Sequence, residues 1–196
     1  MTTPEIFNDV WQHGHYREGS CAKRMIPEML KVIPPGATIN DYGSGTGRAE
    51  VDLLKLGQGF RIHMVDFSPV ALEDEARALV DGERLTYTVA DLAALPADFP
   101  VADWGISIGV LMTVDPEKLD TILAEIRRTC RNLWVETYDT PDVRRGRDFT
   151  TIHRDGKWWA AKLGEFWPHV QAVPSPEHKR RSITICRSEA AEGGQK

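Results

Sequence analysis

Asp41-Tyr42-Gly43-Ser44-Gly45-Thr46-Gly47 closes a short apolar run, Ala37 to Asn40, and opens an amphipathic one. A strand, a glycine turn and a helix N-terminus make the geometry that clasps a nucleoside-containing cofactor. The glycine spacing narrows the choice of cofactor. A dinucleotide fingerprint is Gly-x-Gly-x-x-Gly, and its third small residue lets helix and strand pack closely. Here Gly43 and Gly45 are followed by Gly47, and the position that fingerprint needs small is Arg48. Asp41, two residues before Gly43, would repel a pyrophosphate but suits a ligand that carries an ammonium group.

The pattern continues downstream. Arg61 to Asp66 reads as a second strand, ending in an acid 25 residues after Asp41. A carboxylate there accepts both ribose hydroxyls. Its removal is expected to weaken cofactor binding with little loss of stability, because the side chain lies at a strand end. Ser68-Pro69 offers an N-cap and a first-turn proline to the next helix. Leu85 to Val89 reads as a third strand, followed by Ala90-Asp91-Leu92, and Trp104 to Val110 as a fourth, followed by Leu111-Met112-Thr113.

In this order and spacing, over residues 37 to 136, the chain resembles the class I S-adenosylmethionine-dependent methyltransferases, whose first motif is Asp-x-Gly-x-Gly-x-Gly. The resemblance implies S-adenosyl-L-methionine as cofactor. It implies binding by Asp41, Gly43, Ser44, Gly45, Gly47, Asp66, Phe67, Asp91, Leu92 and Gly109. Phe67 would lie against the adenine face, while the Asp91 side chain and the Leu92 N–H would meet the ring edge. Many relatives carry an acid and a histidine where this chain has Met112 and Thr113. The resemblance is specific to the superfamily and not to a substrate.

Strand–helix alternation predicts an α/β fold: one doubly wound, mostly parallel sheet with helices on both faces and right-handed crossovers. Helices are expected over about 47–56 and 69–80, and after Asp115-Pro116, whose apolar stripe is Leu119, Ile122, Leu123 and Ile126. The fifth strand is Asn132 to Glu136. Beyond it, Pro141 to Asp148 reads as a polar loop and Trp158 to Phe166 as a helix. His169 to Val173 and Ser182 to Cys186 read as an antiparallel hairpin at the sheet edge. Residues 1–36 hold a short helix from Thr3 and a second over 21–32 capped by Ser20, expected as a lid over the cofactor. Residues 37–189 form the methyltransferase domain, and 190–196 read as a disordered tail.

At 196 residues the chain fits one domain with room for a core. No apolar run approaches the roughly 18 residues of a membrane span, and the N-terminus lacks the layout of a signal peptide. Cys21, Cys130 and Cys186 form no Cys-x-x-Cys pair and read as reduced thiols of a cytoplasmic protein, with no metal site. The net charge of −5 is unevenly spread. Residues 1–139 hold 13 Lys/Arg against 22 Asp/Glu, and residues 140–187 hold 10 against 5. The basic part lies outside the cofactor half, which points to an anionic acceptor, with a basic lip for RNA or DNA left open. A solvated face that balances an acidic domain is the plainer alternative.

Methyl transfer from a sulfonium is an in-line displacement. Alignment supplies about 7–11 kcal/mol, whereas a general base adds roughly 10²–10⁴ in rate. A good nucleophile therefore needs no base. Candidates for chemistry are His15, Tyr16, Tyr138 and His153, with Trp158 and Trp159 as walls of an acceptor pocket. The chain lacks the Asn/Asp-Pro-Pro-Tyr/Phe turn of amino-methylating DNA enzymes after the fourth strand. It also lacks the Pro-Cys nucleophile of cytosine C5 enzymes. Asp115, Glu136 and Asp139 are the only acids placed for a metal-dependent site. O- or N-methylation of a small molecule leads, with a macromolecular acceptor or a non-methylating cofactor-binding protein as alternatives. At least one of the arginines at 144, 145, 147 and 154 is expected to grip the acceptor, while Arg180 and Arg181 are weaker candidates because a hairpin turn can point them to solvent.

Overall fold

The computed structural model describes residues 3–12, 22–139, 143–144, 147–175 and 180–190. The helices are α1 (Thr3–Gln12), α2 (Ile26–Met29), α3 (Arg48–Lys55), α4 (Asp74–Leu79), α5 (Leu119–Thr129) and α6 (Gly156–Leu163). The strands are β1 (Thr38–Tyr42), β2 (Arg61–Asp66), β3 (Leu85–Val89), β4 (Ala102–Ile108) and β5 (Cys130–Tyr138), then β6 (Val143–Arg144), β7 (Arg147–Asp148), β8 (His169–Pro174) and β9 (Arg181–Arg187). Seven of them form one sheet in the order β3-β2-β1-β4-β5-β9-β8, while β6 and β7 pair separately. The first five are mutually parallel, and β9 runs antiparallel to both β5 and β8.

Alternation along the strands divides the core into two layers. On one face Ile39, Ile62, Met64, Trp104, Ile106 and Trp134 pack with Val51 and Leu53 of α3 and with Met25 and Met29. On the other, Tyr42, Val65, Leu133 and Val135 pack with Ile122, Leu123 and Ile126 of α5 and with Trp159 and Leu163 of α6. A polar knot ties the second layer together. Buried Asn40 donates through Nδ2 to the Pro100 and Thr129 carbonyls at 2.9 and 2.8 Å, and the Tyr42 hydroxyl lies 2.8 Å from Thr129 Oγ1.

Several boundaries differ from the expected ones, each for a local reason. β1 runs two residues past Asn40, because Asp41 and Tyr42 continue the ladder to Met64 and Val65. The helix expected from residue 69 begins at Asp74. Ser68 instead starts a turn, its carbonyl accepting from Ala71 N–H, and Glu73 takes the cap position. The helix expected over 21–32 is a 3₁₀ turn (Ala22–Met25) followed by the single turn α2, with Pro27 at its start. Residues 143–148 are not all loop, because β6 and β7 pair Val143 with Asp148 and Arg144 with Arg147.

Candidate active site

The strand order reverses between β1 and β4, and open α/β sheets bind ligands at that switch point, outside the carboxyl ends. Gly43 stands there with φ +85°. A Cβ on it would meet Val110 Cγ2 at 2.5 Å, so the turn closes only around glycine. Gly47 has φ +74°, and a Cβ there would meet Ala76 at 2.6 Å and Leu72 at 2.8 Å. This glycine lets α3 start hard against α4 and β2.

Asp66 closes the cradle from the end of β2. Its Oδ2 accepts from Gly45 N–H at 3.0 Å and its Oδ1 from Ser68 N–H at 2.8 Å. Burial raises its pKa to about 6, and the two backbone N–H groups hold it from rising further. The carboxylate therefore braces the loop. Each oxygen keeps acceptor capacity for a ribose hydroxyl. Ser44 Oγ is buried and has no hydrogen-bond partner, an orphan within the loop of the kind that a ligand satisfies.

Asp41 is 4% exposed and faces Glu50 in the first turn of α3. Burial, then the neighbouring Glu50, hold the Asp41 carboxyl well above the usual range, and burial raises Glu50 as well. Glu50 was invisible to motif reading. Its signal is an acid among Ala49, Val51 and Leu53 on the buried side of α3.

Over the cradle lies α1. A Cβ on Gly45 would meet Trp11 Cη2 at 2.9 Å. Phe7 stands edge-on to Phe67 at 5.5 Å and contacts Phe149 at 5.4 Å. Asp91 Oδ1 accepts from Ala93 N–H at 2.9 Å while Oδ2 pairs with Lys118 at 3.2 Å, and Leu92 beside it is buried. Gly109 follows β4 with φ +69°, and its N–H donates to the Glu136 carbonyl.

The second half of the cleft lies past β5. A cavity of about 100 Å³ is lined by Thr137, Tyr138, Asp139, Arg154, Asp155, Gly156, Arg180 and Ser182. Tyr138 belongs to both halves, since a Cβ on Gly109 would lie 3.6 Å from its ring. Arg154 lies over the Trp158 ring at 5.7 Å, and Trp159 is fully buried. Arg181 does not turn to solvent. It reaches Glu136 Oε1 at 3.1 Å, a carboxylate with no exposure, and lies over the Tyr138 ring at 5.5 Å. Arg180 lines the cavity and is exposed. His153 is an exposed neighbour of Arg154. Asp115 caps the turn before α5, accepting from Glu117 N–H. His15, Tyr16, Ser20, Cys21, Arg145 and Lys179 lie outside the described residues, as does the tail from 191. Cys130 and Cys186 are buried free thiols, and burial pushes Cys130 up to about 12.

A sheet in this order, with a three-glycine turn at its switch point and an acid ending the second strand, is the architecture shared by class I S-adenosylmethionine-dependent methyltransferases. Residues 39–132 match the family described as "Methyltransferase domain". A methyltransferase domain over residues 39–132 supports S-adenosylmethionine-dependent methyl transfer, with S-adenosyl-L-methionine as the cofactor. Among solved structures, the chain is similar to the methyltransferase domain of bacterial CtHen1-C, with 19% identity and a TM-score of 0.68, covering 85% of this chain and 97% of that one. It is also similar to the small RNA methyltransferase HEN1, with 18% identity and a TM-score of 0.67, covering 89% of this chain and 26% of that one. A third is the 1,6-didemethyltoxoflavin-N1-methyltransferase of Burkholderia thailandensis, solved with S-adenosylhomocysteine. It shows 20% identity and a TM-score of 0.65, covering 94% and 89%. No curated protein matches the chain by sequence. No helix among the described residues is long and apolar enough to cross a membrane.

Proposed function

We propose that the protein methylates an oxygen or nitrogen of a small anionic acceptor seated at the carboxyl ends of β5 and β9. The observation that carries this reading is the cavity in which Arg154, Arg180 and Tyr138 meet, one ring away from Gly109. At about 100 Å³ it is well below the roughly 300–1,000 Å³ of a drug-sized site. It therefore suits one carboxylate or phosphate group of an acceptor whose reacting atom points back toward the glycine turn. Arginine forks match such groups in pairs of parallel hydrogen bonds.

The cofactor supplies a methyl group on a sulfonium. Asp66 and Phe67 hold its nucleoside, the turn from Gly43 to Gly47 lets backbone approach it closely, and Asp91 and Leu92 stand at its base edge. Tyr138, with His153 outside it, is placed on the acceptor side to orient the nucleophile or take its proton. Alignment carries the larger share of the barrier reduction. Residues 1–36 act as the lid, with α1 closing over Gly45 and Phe67.

A second reading, methylation of RNA, draws on the likeness to the small RNA methyltransferase and on the same arginines. Incubation with radiolabelled methyl donor and fractionated cell extract tests both. The small-acceptor reading expects label in a low-mass product retained by an anion exchanger. Label in RNA, with binding that weakens steeply as salt rises, replaces it with the second reading. Label in protein, or none, overturns both.

A further inference from the structure

Glu50 has no exposure at all, and among the described residues no N–H or O–H group donates to either of its carboxylate oxygens. Its own backbone N–H is close enough to favour the ionised form slightly, without making a hydrogen bond of normal geometry. What faces it is another carboxyl, Asp41, itself buried. Two carboxyl groups in contact hydrogen-bond to each other only when one holds a proton. A buried acid without a donor is costly unless a later partner compensates it. Asp41 stands at the end of β1 beside the glycine turn, and Glu50 faces it from the first turn of α3.

We propose that Glu50 and Asp41 form a two-carboxyl socket for the ammonium group of the cofactor's amino-acid portion, and that this ammonium replaces a proton held between them. The inference rests on S-adenosylmethionine being the cofactor. In the empty socket two carboxyls share one proton, for a net charge of −1. When the ammonium enters, its N–H groups donate to the carboxylates and the shared proton leaves to water. The charge is then two carboxylates against one ammonium, again −1. Constant charge in a buried site avoids the large desolvation cost of changing it. Glu50 is thus a binding residue that shares the ammonium with Asp41.

The charged surroundings favour retention of the proton in the empty state. Asp66 at the end of β2 raises Asp41, and Asp52 in α3 raises Glu50. Arg48, the nearest cation by sequence, is ion-paired with Glu73 at 2.7 Å. Asp9 of α1 and Arg24 of the turn packed on α3 are both exposed. The first turn of α3 works the other way, since a helix N-terminus favours a carboxylate, and so keeps Glu50 ready to ionise when the ammonium arrives.

Calorimetric titration at pH 7, in buffers of different ionisation enthalpy, counts the protons released. S-adenosylhomocysteine should release about one proton per molecule bound. 5′-Methylthioadenosine, which keeps the nucleoside but lacks the ammonium, should release none. Glu50→Gln should abolish the release and weaken S-adenosylhomocysteine more than tenfold, leaving 5′-methylthioadenosine within twofold of wild type. Binding of S-adenosylhomocysteine to the wild type without proton release overturns the socket, and that comparison needs no variant. Equal release with both ligands also overturns it, by placing the proton elsewhere. If neither ligand binds the wild type, the cofactor assignment fails first and the socket with it.

Discussion

The two sides of the cleft are built from different materials. Toward the cofactor, β1, β2 and α3 present backbone and buried acids: three left-handed glycines, Asp41 at 4% exposure and Asp66 at 6%. Toward the proposed acceptor, β5, β9 and the start of α6 present exposed Arg154 and Arg180, a half-buried tyrosine and a shallow cavity. A cofactor that never varies is gripped by parts that cannot be altered without moving the core. An acceptor that differs from one relative to the next is met by side chains that can change while the sheet stays put. Arg181 is the exception. It lies on the acceptor side but is tied inward to Glu136, so it belongs to the architecture.

That division is open to test, and Arg181 gives the largest expected effect. Arg181→Met withdraws the guanidinium from a fully buried carboxylate, which costs about 3–5 kcal/mol. Urea denaturation should show this as an earlier midpoint. An unchanged midpoint would return Arg181 to the group of substrate-facing arginines.

Next comes the cradle itself. Gly47→Ala combines left-handed backbone, about 1–2 kcal/mol, with overpacking against Ala76 and Leu72, about 1–3 kcal/mol. Gly57 has φ +67° but open space around it, so Gly57→Ala should show only the backbone part, about 1–2 kcal/mol. If the two variants lose equal stability, the close approach of α3 to α4 is not what selects glycine at 47.

Asp66→Ala should weaken S-adenosylhomocysteine at least tenfold, because charge-assisted hydrogen bonds contribute about 1.5–3 kcal/mol each. It should also lower the melting temperature, since the Gly45 and Ser68 N–H groups lose their acceptor. Unchanged calorimetric affinity would mean the ribose lies elsewhere. The same acid sets a pH dependence. Its pKa is raised to about 6, so the folded protein takes up its proton more readily than the unfolded chain does. Its contribution to stability is therefore fully present below the unfolded value near 4 and lost as pH rises to 6. Binding runs in the opposite sense, because ribose hydroxyls donate best to the ionised form. Affinity for 5′-methylthioadenosine should fall as pH drops through 6, and a flat profile would detach Asp66 from the ribose.

The smallest effect is expected at Arg154. It is exposed, so Arg154→Met should raise the acceptor's KM by up to about fivefold, the scale of a solvent-screened ion pair, with S-adenosylmethionine affinity and stability unchanged. Wild-type kinetics would reduce the basic segment to a solvated face.

Legibility in the sequence follows the same division. Gly43 and Gly47 could be read because sterics leave other residues no room. β2 and β3 could be read because apolar residues alternating with polar ones between turn residues have few alternatives. Glu50 could not. Periodicity marks it as one polar position in an amphipathic helix, and only the approach of β1 reveals that the position faces another acid. Arg181 precedes by one residue the strand expected from Ser182, so its direction is not legible from the pattern. The β9 ladder begins there, in register with Tyr138, and carries the side chain inward. The cavity was out of reach for a different reason. It is formed by residues 137–139, 154–156 and 180–182, and no local pattern joins segments so far apart.

The placement of Trp11 over Gly45 has an optical consequence. Its indole is 7% exposed, sheltered by the same glycine turn that is proposed to receive the methyl donor. A ligand entering there alters what the ring touches, and its emission must respond. Five other tryptophans contribute a background, of which Trp134, Trp159 and Trp167 are sealed in the core. The difference between wild type and Trp11→Phe during a cofactor titration would isolate the signal of one side chain. Followed in a stopped-flow mixer, that signal would time the entry and departure of the cofactor on each turnover, with no label attached.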